Sequence, residues 1–191
     1  MFCLSKPSRD SINKFITLQQ PQKFSYPEVG LSRMAAPTGY IPDHNRIKLG
    51  EGAETFDRAK RAINRWKMFD LPWLELCWPE ARIEPGVTVA VLVSHLGFWS
   101  LNASRIVYVV DEPGPTEKYG FAYGTLPGHA EVGEERFTVE FDSADQSVWY
   151  DIYAFSRPTA LARLAYPFAR SLQERFAADS KAAVLRAAQK S

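Results

Sequence analysis

The sequence predicts an α+β fold in which a curved antiparallel sheet grips one long C-terminal helix. Three observations lead there. Residues 53–69 carry the first clear helical stripe, a run of segments with period-two alternation follows, and the chain closes on a long amphipathic stretch from Thr159 to Ala188. A sheet with one face to bury and a helix with one stripe to bury are satisfied together when the helix lies across the curved sheet. The gap left between them is a natural pocket. A flatter sheet with helices on one face and no cavity is the alternative arrangement.

The elements follow in order. Ile12, Phe15 and Ile16 share one side of a short helix after Lys6-Pro7-Ser8, with Ser8 as its N-cap. Pro21 to Gly52 is rich in Pro, Gly and polar residues, too long for an idle connection. Its Phe24, Tyr26, Leu31, Tyr40 and Ile41 make residues 1–52 an N-terminal arm packed on the body. From Ala53 to Phe69, Phe56, Ala59, Ile63 and Trp66 form one apolar stripe, and Leu71-Pro72 ends the helix.

Then the period changes. Val87, Val89, Val91 and Val93 share a face; Ile106, Tyr108 and Val110 share another, with Arg105 opposite. Tyr119 to Leu126 is a third strand. Phe137, Val139 and Phe141 alternate with Arg136, Thr138 and Glu140. Asp142 to Gln146 is a polar turn, and Val148 to Phe155 returns as a strand apolar on both faces, hence covered on both sides. In the last helix Pro158 suits a start, whereas Pro167 predicts a kink.

The bulk numbers narrow the function classes. The 191 residues suit one domain, and the balance of 46% hydrophobic to 24% charged is that of a globular protein. The net charge of +1 argues against nucleic acid as partner, although a local basic patch is compatible with it. Cys3 and Cys77 are the only cysteines and have no metal spacing, so a reducing, cytoplasmic setting is expected. Cys77, between Leu76 and Trp78, reads as a core thiol. Met1 to Lys6 lacks the apolar core of a signal peptide, and Val87 to Leu96 is too short to span a bilayer.

The chemistry-bearing residues concentrate between Gly120 and Phe137. Leu126-Pro127-Gly128-His129 reads as a turn between strands, so His129 lies at the sheet's rim with Glu131, Glu134 and Glu135 close behind. Histidine transfers protons near neutral pH and a carboxylate orients it, which makes Tyr123, His129, Glu134 and Glu135 candidates, joined by Arg46, Arg105, Tyr108 and Trp149 as ligand contacts. The plainer reading is a solvated turn whose histidine bonds to backbone. No metal or cofactor is expected, because no second ligand stands at metal spacing. Gly120, Gly124 and Gly128 lie between strands with no helix following, which excludes a phosphate loop. Aromatic residues make up 13% of the chain; they fill a core or line a cavity for a ring-bearing or amphipathic ligand. His44 and His95 read as structural or exposed, with Asp43, His44 and Arg46 near a pocket mouth.

The segments Phe24 to Gly30 (FSYPEVG), Asp43 to Gly52 (DHNRIKLGEG), Arg105 to Glu112 (RIVYVVDE), Gly120 to Phe137, Val148 to Pro158 (VWYDIYAFSRP) and Tyr166 to Phe176 (YPFARSLQERF) carry a resemblance. Together they resemble the uncharacterised DUF1990 (UPF0548-like) family over nearly the whole chain, from about Phe15 to Leu185. The resemblance implies a START-like, Bet v 1-like helix-grip domain; such domains commonly hold hydrophobic ligands and sometimes act as cyclases or hydrolases. It transfers no catalytic residue. The expected function is binding of a small hydrophobic or amphipathic ligand between sheet and C-terminal helix. An enzyme with a Tyr/His/Glu rim, or a partner-binding domain that uses the Pro21 to Gly52 arm, are the alternatives. Oligomeric state is not readable from the residues.

Overall fold

The structure is a computed structural model that describes residues 1–95, 97–158 and 166–189. Among the described residues, eight strands and three helices follow one another: β1 (Phe2–Cys3), α1 (Arg9–Gln19), β2 (Ile41–Glu51), α2 (Ala53–Asn64), β3 (Leu74–Leu76), β4 (Thr88–His95), β5 (Phe98–Glu112), β6 (Thr116–Thr125), β7 (Glu131–Asp142), β8 (Ser147–Pro158) and α3 (Tyr166–Gln189). The strands form one antiparallel sheet in the order β2-β8-β7-β6-β5-β4-β3, with β1 paired to β5. Strands β2 and β4 stand five places apart, about 24 Å in a flat sheet. Yet Leu49 of β2 and Val89 and Val91 of β4 share one buried cluster with Trp66, Phe69 and Val184 of the helical side. Only a curled sheet brings those strands together, and α2 and α3 lie in its hollow. This is the helix-grip arrangement.

Most elements arise where the hydrophobic period places them. Ser8 caps α1, its Oγ accepting from Ser11 N at 3.2 Å. The apolar stripe of α2 is buried as expected, but the helix stops at Asn64 because Trp66 takes a left-handed backbone (φ 53°), and its indole donates to the Ala81 carbonyl at 2.8 Å. A short 3₁₀ turn over Lys67–Phe69 then carries Phe69 into the core.

Three sequence expectations are revised. Residues 41–51, read as part of an irregular arm, form strand β2 paired along β8, because Ile47 and Leu49 bring apolar side chains to the hollow. Ile106, Tyr108 and Val110 do not share a face: a bulge at Val107 reverses the parity of β5, leaving Ile106 inside and Tyr108 and Val110 on the outer face with Ala122. Gly120 and Gly124 lie within β6, not between strands. The predicted helix from residue 159 to 165 lies outside the described residues, and so does the junction where Pro167 predicts a kink.

The outer face is covered in two places. Helix α1 sets Ile12, Phe15 and Ile16 on Ala90, Leu92, Leu101 and Ala103. Residues 24–40 cross the other half, where Tyr26 and Tyr40 pack edge-on against Phe155. No described helix is long and apolar enough to cross a membrane.

Candidate functional site

The hollow of the sheet is filled at one end and open at the other. At the filled end Phe121, Phe137, Val139 and Tyr150 meet Phe56, Ile63 and Trp66 of the α2 side. At the other end the inward positions are small, with Gly133, Ala154 and Ser156 on β7 and β8 and Ser100 and Ser104 on β5. A cavity of about 530 Å³ remains between these strands and α3. That size suits a small organic ligand.

Strand alternation decides which side chains enter it. One row across the sheet reads Asp43, Ala154, Glu135, Tyr123, from β2 through β8 and β7 to β6. Ala154 leaves room in the middle of that row. The Tyr123 hydroxyl donates to Glu135 Oε2 at 2.9 Å. Beside them Gln173 of α3 donates to Glu131 Oε1 at 2.6 Å and lies 3.3 Å from Ser156 Oγ. Phe69, Trp73 and Phe176 form the opposite wall, with the Phe69 ring 6.0 Å from the Tyr123 ring and inclined to it by 30°.

The ionisable groups here are shifted by burial. Glu135 is half-buried and lines the cavity. Desolvation, reinforced by the nearby Glu131 and Asp43 carboxyls and opposed by the Tyr123 hydrogen bond, pushes its pKa up to about 8. Glu131 is raised by burial against the help of Gln173, Ser156 and Arg170. Tyr123 is raised well above the usual phenol range by burial and by Glu135.

His129 sits where the turn places it. The Leu126–His129 turn closes with His129 N donating to Leu126 O at 3.2 Å, and Gly128 supplies the positive φ of 89°. The imidazole lines the cavity, and its Nδ1 accepts from Glu131 N at 3.0 Å, which puts the ring proton on Nε2. Burial holds its pKa down at about 4, so the ring is neutral at pH 7. Farther round the same wall, Asn102 Nδ2 donates to Ser100 Oγ at 3.1 Å, and His95 Nε2 lies 2.7 Å from that oxygen.

Tyr123, His129 and Glu135 are therefore brought together, and the other predicted residues are not. Glu134 adjoins the cavity through its strand position, but its carboxylate points to the outer face, where it accepts from Tyr26 Oη at 2.6 Å, Gly30 N at 2.7 Å, Ser32 N at 3.0 Å and Ser32 Oγ. Gly124, its cross-strand partner, makes this possible, because a Cβ there would lie 2.0 Å from Tyr26 Oη. Tyr108 is also outside, bonded to Ser32 Oγ at 2.6 Å under the Arg33 guanidinium. Arg46 pairs with Glu140 at 2.6 Å over the Trp149 ring on the outer face. Arg105 caps α1, donating to the carbonyls of Gln19, Gln20 and Gln22. Of the Asp43, His44 and Arg46 group, only Asp43 faces the cavity; His44 bonds to Asp151 at 2.5 Å on the other side. Burial raises the Cys77 thiol to about 12, as befits a packed side chain under α1.

Sequence reasoning placed Asp43 near a pocket mouth but missed Ser100, Asn102, Gln173 and Phe176 as cavity residues. A signal existed for some of them. Ser100, Asn102 and Ser104 are small polar residues at period two, alternating with Leu101 and Ala103. Among the described residues no group of three or more His, Cys, Asp or Glu is placed to hold a metal ion.

Residues 25–183 match the family described as a domain of unknown function, DUF1990. A UPF0548 protein of Dictyostelium discoideum is 35% identical across 98% of this chain and 95% of its own length. One from Deinococcus radiodurans is 37% identical across 98% and 99%. One from Arabidopsis thaliana is 35% identical across 78% and 73%. Among solved structures, Ara h 8.0201 aligns with a TM-score of 0.45 at 13% identity, over 78% of this chain and 99% of its own. A point mutant of Thalictrum norcoclaurine synthase aligns with a TM-score of 0.41 at 14% identity, over 78% and 98%.

Proposed function

This chain belongs to the DUF1990 family, and we propose that it binds a small amphipathic molecule in the cavity between the sheet and α3. The observation that carries the reading is the division of the cavity's walls. Phe69, Trp73 and Phe176 offer aromatic surface on one side, and Tyr123, Glu131, Glu135 and His129 offer hydrogen-bonding groups on the other. A filled core has no use for such a contrast: burying polar groups costs about 1–3 kcal/mol each where partners are incomplete. A cavity that receives a ligand with an apolar body and a polar end satisfies both walls.

The test is binding of the uncharged solvatochromic dye N-phenyl-1-naphthylamine. Its emission rises and shifts to the blue with the wild-type chain, and the signal disappears in Ala154→Trp, which fills the middle of the cavity. No enhancement with wild type, or equal enhancement with a folded Ala154→Trp, contradicts the reading.

General acid–base catalysis is a second reading, favoured by one observation. Glu135 has its pKa moved close to neutral beside a phenol and a neutral imidazole in the same cavity. Mass spectrometry of the molecule that co-purifies separates the two. A single species recovered unchanged after incubation supports binding, and conversion that stops in Glu135→Gln supports catalysis.

A further inference from the structure

Resting on the cavity reading above, we infer that the molecule bound there carries a protonated nitrogen, which pairs with Glu135 while its apolar body lies along Phe69, Trp73 and Phe176. Two independent features of the wall support this class.

The first is a charge inventory. No lysine or arginine is among the described residues that line the cavity. The carboxyls of Asp43 on β2 and of Glu131 and Glu135 on β7 face it, together with the Tyr123 phenol on β6. From β4 comes His95, and from the Leu126–His129 turn comes His129, which accepts a backbone N–H and is neutral. Tyr150, on β8, is committed to Ser180 of α3 at 3.0 Å. The cations beside the lining residues are each engaged: Arg170 by Asp43 at 2.7 Å and Glu174 at 3.0 Å, Arg175 by Asp179 at 3.5 Å, Lys181 by Asn45 at 3.1 Å, and the N-terminal ammonium by the Leu101 and Gly128 carbonyls. Glu131 has Gln173, and Asp43 has Arg170, so Glu135 is the carboxyl whose one described partner is a neutral phenol. An anionic ligand meets three carboxyls there. A cationic one supplies the counter-charge that Glu135 lacks, in a desolvated setting where charge-assisted bonds are strongest.

The second feature is the arrangement of rings. Phe69 lies 5.5 Å from Phe176 and 6.0 Å from Tyr123, and all three line the cavity with Glu135. Ring faces beside a carboxylate recognise ammonium groups through the negative potential of the π cloud, and they give nothing comparable to an anion.

Ion pairing needs the ionised form of Glu135, whose proton is held up to about pH 8 in the empty cavity. Amine binding at pH 7 therefore expels a proton: the N–H⁺ of the ligand stays on nitrogen, and the carboxyl proton leaves to buffer.

The experiment compares 1-decylamine, 1-decanol and decanoate, below their micelle concentrations, by displacement of N-phenyl-1-naphthylamine at pH 7. Decylamine binds at least about tenfold tighter than decanol, the scale of one charge-assisted bond, and decanoate binds weakest. In Glu135→Gln the amine-to-alcohol ratio falls to near one. Calorimetry of the wild type in two buffers of different ionisation enthalpy requires no variant and detects the released proton. Decanol and decanoate binding as well as decylamine overturns the amine inference and leaves the cavity reading standing. A preference that survives Glu135→Gln, or binding without proton release, overturns the assignment to Glu135. Failure of all three probes to bind overturns the cavity reading with it.

Discussion

Glu134 and Glu135 are neighbours on β7 and have opposite surroundings. Glu134 is 2% exposed and accepts hydrogen bonds from Tyr26, Gly30 and Ser32, which clasp residues 24–34 to the outer face. Glu135 faces a cavity and holds one phenol. A buried carboxylate surrounded by donors is a structural joint. A carboxyl left nearly bare in a cavity that the fold has room to fill is a position waiting for a ligand. The comparison teaches that titratable residues in one motif divide by strand parity, one working for the fold and the next for the cavity.

The largest expected effect lies on the outer member of the pair. Glu134→Gln leaves buried donors facing an amide, and we expect a loss of about 3 kcal/mol in urea denaturation. Limited proteolysis between residues 24 and 34 should become faster in the same variant. A loss below about 1 kcal/mol would break the comparison, because Glu134 would then be no joint.

Gly124→Ala attacks the same clasp from the neighbouring strand. The added Cβ meets Tyr26 Oη at 2.0 Å, so Tyr26 must withdraw from Glu134, at about 2 kcal/mol. In a double-mutant cycle the two losses should fall short of adding, since both remove the same contact. Strict additivity would mean that the Tyr26–Glu134 bond carries none of it.

A smaller change, about 1 kcal/mol, is expected for Arg105→Ala, which uncaps α1. Dye binding in this variant should match wild type. A lost dye signal with native-like stability would move Arg105 from the fold's side of the comparison to the ligand's.

Glu135→Gln takes no part in the clasp and is expected to gain stability at neutral pH, by an amount that depends on pH. Glu135 binds its proton more tightly in the folded chain, about 8 against the ordinary 4.5, so its contribution to stability is intact below pH 4.5 and is lost as pH rises through 8. Glutamine cannot ionise. The variant should therefore match wild type near pH 4.5 and exceed it at pH 8, as read from paired denaturation curves. A variant less stable than wild type at pH 8 would show that the carboxylate is satisfied by something stronger than Tyr123.

Much of this division was legible in the sequence. Phe137, Val139 and Phe141 face inward, and counting back in twos reaches Glu135, Gly133 and Glu131, whereas Glu134 falls with Arg136. Treating the Tyr123 to Glu135 block as one cluster overlooked that parity. Tyr108 was not legible in this way, because the bulge at Val107 shifts every later residue of β5 to the other face and leaves no mark in composition. Arg105 and Arg46 are charged residues in strands near the motif, and only the packed fold shows that the first is taken by α1 and the second by Glu140. Strand β2 was hidden because its outer positions, His44, Arg46 and Lys48, and its inner Asp43 and Asn45 are all polar. Only Ile47 and Leu49 carry the inward signal. The cavity itself came from small residues, Gly133, Ala154 and Ser156, whose significance is what they leave empty.

The most direct test of the division between the two glutamates is thermal melting of wild type, Glu134→Gln and Glu135→Gln, each with and without 1-decylamine at pH 7. The account predicts that Glu134→Gln melts several degrees lower yet keeps the rise in Tm on adding the amine, while Glu135→Gln melts above the wild type and loses that rise. If both variants melt alike and respond alike to the amine, the two carboxyls have no separate roles and the account fails.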